Sequence, residues 1–396
     1  MASASDLPPQ HADRTSLWEL AGLFLRLGAT AFGGPAAHIA MMEAEVVRLR
    51  GWLSDERFLD LLGATNLIPG PNSTEMAIHI GWERRRWPGL VVAGVAFIVP
   101  AMCITLVFGW AYVRFGSLPS AGWLLYGVKP VILGVVLQAI WNLAPKAVRS
   151  RRLAILGALS IFFALIGANE IAVLFGVGIL SAVMSSVTGL KPPGGGVKLH
   201  LFAPVASGAS GVAVAAGATA VSSTLSGIFW VFLKIGSVLF GSGYVLLAFL
   251  RADLVQRLHW LSEAQLIDAV AVGQVTPGPV FTTATFIGYL LAGPGGALVA
   301  TLGIFLPAFV FVALSGPLVP RLRASATASA FLDGVNVASL ALMALVTAQL
   351  GRAALIDLPS LALALLAALL LLRFKLNATW LVLGGAVAGW VIRRAF

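Results

Sequence analysis

An internal duplication constrains this chain more than any other feature. Phe24-Leu25-Arg26-Leu27-Gly28 returns as Phe232-Leu233-Lys234-Ile235-Gly236, at an offset of 208 residues. The same offset relates Pro69-Gly70-Pro71 to Pro277-Gly278-Pro279. The chain therefore contains two copies of one structural unit, and each copy is interrupted by a helix-breaking motif at the same position.

Composition places both copies in a membrane. Hydrophobic residues make up 59% of the 396 residues and charged residues only 11%, whereas about a quarter of the residues in a soluble domain are charged. Continuous apolar runs of about 18 residues are long enough to cross the hydrocarbon layer as helices, and their continuity argues against a β-barrel. The runs lie at 89–112, 123–143, 171–187, 297–317 and 358–372.

The chain divides into four predicted segments. They are a flexible N-terminal tail at 1–16, a first transmembrane repeat at 17–188, a linker at 189–223 and a second transmembrane repeat at 224–396. The tail lacks the features of a secretory signal peptide. The net charge of +10 lies in short clusters between apolar runs, which indicates orientation in a membrane rather than nucleic-acid binding.

The distribution of basic residues predicts opposite orientations for the two repeats. The loop at 82–88 carries three arginines, whereas its equivalent at 292–296 carries no charge. Conversely, Arg373 and Lys375 lie where the first repeat has Asn169-Glu170. Because loops rich in lysine and arginine stay in the cytoplasm, this reversal predicts inverted-topology repeats.

Each Pro-Gly-Pro motif splits an apolar segment, since proline removes backbone donors and glycine frees the dihedral angles between them. If each split segment is a re-entrant pair of half-helices, the chain has about ten spans; if each crosses the membrane, it has about thirteen. We favour the first architecture, because the linker is a poor span and re-entrant breaks are tolerated where they line a cavity. The predicted fold is an all-α polytopic membrane protein.

Two cations occupy matching positions inside apolar helices. Placing Arg26 or Lys234 there costs about 2.5–3.5 kcal/mol on insertion scales, so each requires a compensating partner. One alternative is that Arg26 extends to the membrane interface. We favour binding of a ligand, because intramembrane charges usually face a cavity or a pathway. In inverted repeats both cations would approach the axis that relates the two halves, and two positive charges there would suit a ligand with two negative charges.

The breaks predict further anion-binding groups. A half-helix that starts behind each motif directs its free N–H groups and the positive end of its dipole into the gap. Hydroxyl and amide side chains follow, either as ligands or as helix caps. Glycine-rich stretches before the motifs are further breaks or, alternatively, sites of close helix packing. The candidate substrate-binding residues are Arg26, Lys234, Gly33, Gly34, Gly241, Pro69, Gly70, Pro71, Asn72, Ser73, Thr74, Pro277, Gly278, Pro279 and Thr282.

Acidic residues offer one candidate for coupling. Glu75 directly follows the first break and could take up a proton or pair with Arg26, and an ordinary first-turn position is the alternative. Asp60 and Asp268 match between the repeats, and we assign them structural roles. No cofactor or metal is expected, because the histidines are isolated. No nucleophile–base set, Walker loop or dinucleotide motif indicates an enzyme or an ATP-driven pump.

The paired motifs resemble those of the long-chain chromate ion transporters of bacteria. In that family each half carries Phe-Gly-Gly or Phe-Gly-Ser, followed further on by Pro-Gly-Pro. The first half here has Phe32-Gly33-Gly34-Pro35, whereas Ser242-Gly243 replaces the last two of these residues in the second half. The resemblance covers nearly the whole chain outside the tail and the linker. The departure implies unequal halves, and we expect the first to supply more of the polar contacts.

The resemblance implies export of chromate across the bacterial inner membrane, chromate resistance, and sulfate as a competing or related anion. Chromate would then lie between Arg26 and Lys234. Rival functions are transport of sulfate or another small anion, and a membrane sensor or scaffold that transports nothing. A proton, sulfate exchange or the membrane potential would drive transport. Small-residue faces such as Gly384-Gly385 would allow a homodimer.

Overall fold

A computed structural model of the chain describes residues 15–32, 34–116, 118–188, 223–240, 245–323, 325–374, 376 and 378–395. The predicted tail and linker lie almost wholly outside these residues. Within the described chain there are fourteen α-helices and no strand. The first half contains α1 (Leu17–Thr30), α2 (Gly34–Glu43) with a π-helical continuation (Ala44–Leu49), α3 (Asp55–Thr65), α4 (Asn72–Phe115), α5 (Pro119–Ala147), α6 (Arg151–Leu165) and α7 (Glu170–Thr188).

The second half repeats this order of elements. It contains α8 (Leu225–Val238), α9 (Leu246–Leu250) with a π-helical continuation (Arg251–Arg257), α10 (Glu263–Val275), a 3-10 turn (Val280–Thr282), α11 (Thr283–Arg323), α12 (Ala326–Ala354), α13 (Leu358–Phe374) and α14 (Ala378–Ala395). The repeat extends to local detail. Ser54 and Ser262 cap α3 and α10, and the matching residues Gly51 and His259 both have positive φ, 58° and 52°.

Several helices are long and apolar enough to cross a membrane. Among the described residues there are five, at Asn72–Phe115, Gly122–Ala147, Glu170–Val187, Val280–Ser315 and Ala326–Arg352. The helices Leu225–Val238 and Leu358–Phe374 are apolar but shorter. The all-helical membrane architecture in two repeated halves is therefore confirmed.

The longest helix of each half is a helical hairpin. In α4 the helical path is broken at Arg85 and Arg86, and α11 is broken at the equivalent Ala292 and Gly293. The two arms pack at glycines, since a Cβ on Gly81 would overlap the carbonyl oxygen of Gly89. In the second half Gly288 and Gly296 make the same approach. Each hairpin thus has a short arm that begins at the break and a long arm that returns.

Ion pairs in the first half show that the segments before its long arm fold back on themselves. Arg57 at the start of α3 contacts Glu83 near the end of the short arm of α4, with Nη2 and Oε1 2.7 Å apart. α3 and this arm therefore run antiparallel, and the first Pro-Gly-Pro lies at their far end. Arg50, which follows α2, pairs with Glu19 at the start of α1 at 3.1 Å. In the first half, the α1–α2 pair therefore begins and ends on one side, and so does the pair formed by α3 and the short arm of α4.

Contacts between α4 and α11 fix the relative orientation of the halves. Gly109, near the end of the long arm of α4, packs against Tyr289, a few residues before the turn of α11. Next to it, the rings of Tyr112 and Phe286 lie 5.3 Å apart. The turn of α4 is at the other end of this arm, roughly 30 Å away at about 1.5 Å per residue. The two turns lie on opposite faces, as expected for inverted repeats.

The inverted arrangement predicts opposite accessibility of the two hairpin turns. Trp87→Cys and Pro294→Cys place thiols on the first exposed residue of each long arm, in a Cys103→Ala background that removes the sole cysteine. A membrane-impermeant maleimide should label Pro294→Cys in intact cells, and Trp87→Cys only in inverted vesicles. Labelling of both from the same side would contradict the inverted topology.

Candidate functional site

The two Pro-Gly-Pro breaks are joined by reciprocal hydrogen bonds between the halves. The N–H of Gly70 donates to the carbonyl oxygen of Leu239, which follows α8, at 2.7 Å. The N–H of Gly278 donates to the carbonyl oxygen of Ala31, which follows α1, at 2.9 Å. Because the offset of 208 residues relates both donors and both acceptors, the pair has approximate two-fold symmetry. Each break is thus completed by the opposite half.

Both central glycines are required by backbone geometry. Gly70 has φ of 141° and Gly278 has φ of 83°, a region that residues with a side chain rarely adopt. A Cβ on Gly278 would lie 2.7 Å from the carbonyl oxygen of Gly28 and 2.9 Å from the Cβ of Ala101. The second break therefore touches the backbone of α1 directly.

The first break carries unpaired polar groups at the start of α4. Ser73, Thr74 and Glu75 are buried, and Thr74 and Glu75 are fully so. The hydroxyl oxygen of Thr74, the amide oxygen of Asn72 and both carboxylate oxygens of Glu75 have no hydrogen-bond partner. The carboxylate lies directly over Gly70. Buried polar atoms of this kind are costly, so the cluster is a candidate for binding a ligand or a proton.

The second break differs in that its hydroxyl groups are satisfied within the chain. Thr282 donates to the carbonyl oxygen of Pro279 at 2.9 Å, and Thr283 donates to that of Val280 at 2.8 Å. A 3-10 turn also precedes α11, whereas α4 starts directly behind its motif. All the described side-chain oxygens that lack a partner at the breaks thus belong to the first half.

The space beside the second break is small. A cavity of about 10 Å³, lined among others by Gln274, Val280 and Thr283, lies between α5 and the break. This volume is about that needed for one water molecule. A tetrahedral oxyanion has five heavy atoms and does not fit in this cavity.

The cations at the two matching positions, Arg26 and Lys234, are each paired with a carboxylate of their own half. Arg26 contacts Glu45, with Nη2 and Oε1 2.5 Å apart, and Lys234 contacts Asp253, with Nζ and Oδ1 2.6 Å apart. These two pairs are equivalent in the repeats. Such ion pairs offset the cost of placing a cation inside an apolar helix. The alternative pairing of Glu75 with Arg26 is not found, since Glu75 has no hydrogen-bond partner.

Some of the remaining residues predicted to bind substrate lie in the part of the chain that the structure describes, and others lie outside it. Gly34 begins α2 with φ of 79°, which agrees with a break before that helix. Gly33 and Gly241 lie outside the described residues. Pro69, Pro71, Pro277 and Pro279 flank the two interlocked glycines in the breaks.

Sequence reasoning missed three charged residues. Glu45 and Asp253 could have been found, because the offset of 208 residues relates them as it relates Arg26 and Lys234. Lys129 lies within a predicted apolar run on α5. Its Nζ is 3.3 Å from Oδ1 of Asp268 in the other half, and Tyr112 donates a 2.9 Å hydrogen bond to Oδ2 of the same carboxylate. Asp268 thus links α10 to α4 and α5.

The histidines do not form a metal centre in the part of the chain that the structure describes. His38 is buried, with Nε2 3.0 Å from the carbonyl oxygen of Ala31 and its ring edge-to-face with Phe97. His79 is buried on α4. The described residues contain no group of three histidine, cysteine or acidic side chains placed to bind a metal.

Two repeated helical halves, each with a broken segment and a buried polar break at their interface, are typical of membrane transporters. A family model described as chromate transporter matches residues 18–183 and 226–390, one match to each half. The chain belongs to the chromate transporter family. Members are named as transport proteins rather than enzymes.

Similar proteins align over nearly the whole chain. A "chromate transport protein" of Cupriavidus metallidurans is 35% identical over 95% of this chain and 93% of its own length. A "probable chromate transport protein" of Synechococcus elongatus is 30% identical over 94% of this chain and 95% of its own. A "chromate transport protein" of Pseudomonas aeruginosa is 29% identical, over 94% and 92% respectively. No solved structure matches the fold.

The contact of the second break with α1 predicts an unequal response to alanine at two glycines. Gly278→Ala combines a positive φ with overlap against Gly28 and Ala101, whereas Gly293→Ala has a φ of 60° but open space around it. Gly278→Ala should cost about 1–3 kcal/mol more than Gly293→Ala, a typical overpacking penalty. Thermal unfolding in detergent measures the difference, and equal melting temperatures for the two variants would contradict the contact.

Proposed function

We propose that this protein exports chromate, a tetrahedral dianion, from the cytoplasm along a path between the two interlocked breaks. The observation that carries the proposal is the buried polar cluster at the start of α4, set against a break completed by the opposite half. The names of relatives at 29–35% identity support chromate as the substrate.

Binding would use helix ends rather than free cations. The N-termini behind the breaks, at Asn72 and Val280, point partial positive charge into the gap. Asn72, Ser73 and Thr74 add side-chain donors on the first half. Arg26 and Lys234 are paired with carboxylates, so an anion would approach them by sharing or displacing Glu45 and Asp253.

Transport would follow from the inverted architecture. The re-entrant hairpins of the two halves open to opposite faces, and rocking of one half against the other would expose a central site to each face in turn. The small volume beside the second break agrees with a closed conformation.

The membrane potential favours the proposed direction. The bacterial inner membrane is negative inside, which favours exit of a dianion by about 2.3 kcal/mol per charge per 100 mV. The arginines at the turn of α4 would mark the cytoplasmic face. Export would lower cytoplasmic chromate and so give resistance. Sulfate has the same shape and charge, and we expect it to compete. Within each half, the described helices are joined by short segments, which give a sensor or scaffold little to relay a signal with.

Neutralising Arg26 should abolish chromate export. Arg26→Gln removes a cation from the pathway and should reduce export from loaded cells to the level of cells that lack the protein, with the folded protein still present in the membrane. The measurement is retained cellular chromate, with Arg394→Gln as a control that removes an exposed cation at the end of α14. Export at the wild-type rate would contradict the role of Arg26.

A double variant separates anion binding from a purely structural ion pair. Arg26→Gln combined with Glu45→Gln removes both charges of the pair. If Arg26 serves the anion, the double variant remains inactive; recovery of export would show that the single variant failed because Glu45 was left with Arg50 alone, at 3.3 Å, as its partner.

Glu75 is the proposed coupling group. Its carboxylate is fully buried without a partner, so it can exchange a proton as the break opens. Flux into vesicles should respond to an imposed pH gradient in the wild type and in Glu56→Gln, an exposed control on α3. In Glu75→Gln that response should disappear while potential-driven flux persists. An unchanged response would assign Glu75 to helix structure alone.

A further inference from the structure

A second cavity lies away from the breaks, at the face that carries the turn of α11. It has a volume of about 440 Å³. Its walls come from the start of α5, the end of α12 and the end of α14, and its functional groups are those of Trp123, Tyr126, Lys129 and Arg393. Ligand sites typically have volumes of about 300–1,000 Å³, so the cavity is large enough for a small anion and some water.

The charged side chains that line this cavity are both positive. Lys129 and Arg393 contribute two cations, and the described lining residues include no carboxylate, the nearest to Arg393 being that of Asp357 behind Tyr126. The guanidinium of Arg393 lies 4.3 Å from the centre of the Tyr126 ring, which positions it without using up its hydrogen-bond donors. Tyr126 is itself held by a 2.6 Å hydrogen bond from its hydroxyl to Asp357, between α12 and α13.

Lys129 has a carboxylate partner that an anion can replace. Asp268 lies 3.3 Å from Lys129 and also accepts a 2.9 Å hydrogen bond from Tyr112. If Lys129 turns towards a ligand, Asp268 keeps Tyr112 as a donor. The exchange therefore leaves no buried charge wholly unpaired, which would otherwise be strongly unfavourable.

We propose that this cavity is a second oxyanion site, which binds a tetrahedral dianion between Lys129 and Arg393 in competition with Asp268. It deepens the proposed function, on which it rests for the chemical class of its ligand. Because it lies on the face opposite the turn of α4, it is the vestibule through which an exported anion leaves. The central breaks and the vestibule are then successive sites on one path.

Equilibrium dialysis of chromate against the purified protein in detergent tests the vestibule. Arg393→Gln should weaken vestibule binding about tenfold or more, as expected for the loss of a charge-assisted contact. Arg394→Gln is the matched control, since Arg394 stacks on Trp390 and neither residue lines the cavity. It should reproduce the wild-type isotherm. Asp268→Asn should tighten binding severalfold, because it removes the competitor for Lys129.

The outcomes separate this inference from the proposed function. Superimposable isotherms for wild type, Arg393→Gln and Arg394→Gln would overturn the vestibule, as would a wild-type protein that binds no chromate. Chromate flux of wild-type protein in vesicles is measured in parallel. If the wild-type protein transports chromate but Arg393→Gln binds chromate as the wild type does, the proposed function is supported and the vestibule site is ruled out. A loss of binding confined to Arg393→Gln, without any wild-type flux, would support the site and contradict transport.

Discussion

The reciprocal hydrogen bonds between the breaks are the constraint on which the rest of the structure depends. A broken helix inside a membrane leaves backbone groups without partners, and each such group costs several kcal/mol. Here the N–H of Gly70 reaches the carbonyl oxygen of Leu239, and that of Gly278 reaches Ala31. Each half has a donor at its Pro-Gly-Pro motif and an acceptor just after its first helix. Neither half makes this pairing internally, so the breaks persist only because two inverted copies face each other.

The two cations at matching positions also depend on partners within the fold. Arg26 and Lys234 are tolerated because Glu45 and Asp253 lie on the returning segment of the same re-entrant hairpin. This arrangement gives each of the two cations a carboxylate counter-charge on its own hairpin. The unpaired carboxylate of Glu75 is the exception. Its repeat equivalent is a threonine that is satisfied locally, and the asymmetry places the candidate chemistry on the first half.

The sequence predicted the elements that depend on local chemistry. Proline and glycine located the breaks, the three arginines located the turn of α4, and the reversal of loop charge indicated inverted halves. Contacts between distant segments could not be predicted in this way. The bond from Gly70 to Leu239 joins residues of different halves, and nothing near either residue specifies it. Lys129 was overlooked because an isolated lysine in an apolar run has no local partner, and Asp268 approaches it only in the folded protein.

Chromate flux into proteoliposomes that contain only the purified wild-type protein tests the central claim most directly. Uptake would be followed with and without internal sulfate, against protein-free liposomes. The account predicts uptake well above the protein-free level, driven by an imposed potential that is positive inside, and inhibited by external sulfate. The comparison with internal sulfate reports exchange. Absence of flux under every imposed gradient would contradict a transport path between the breaks.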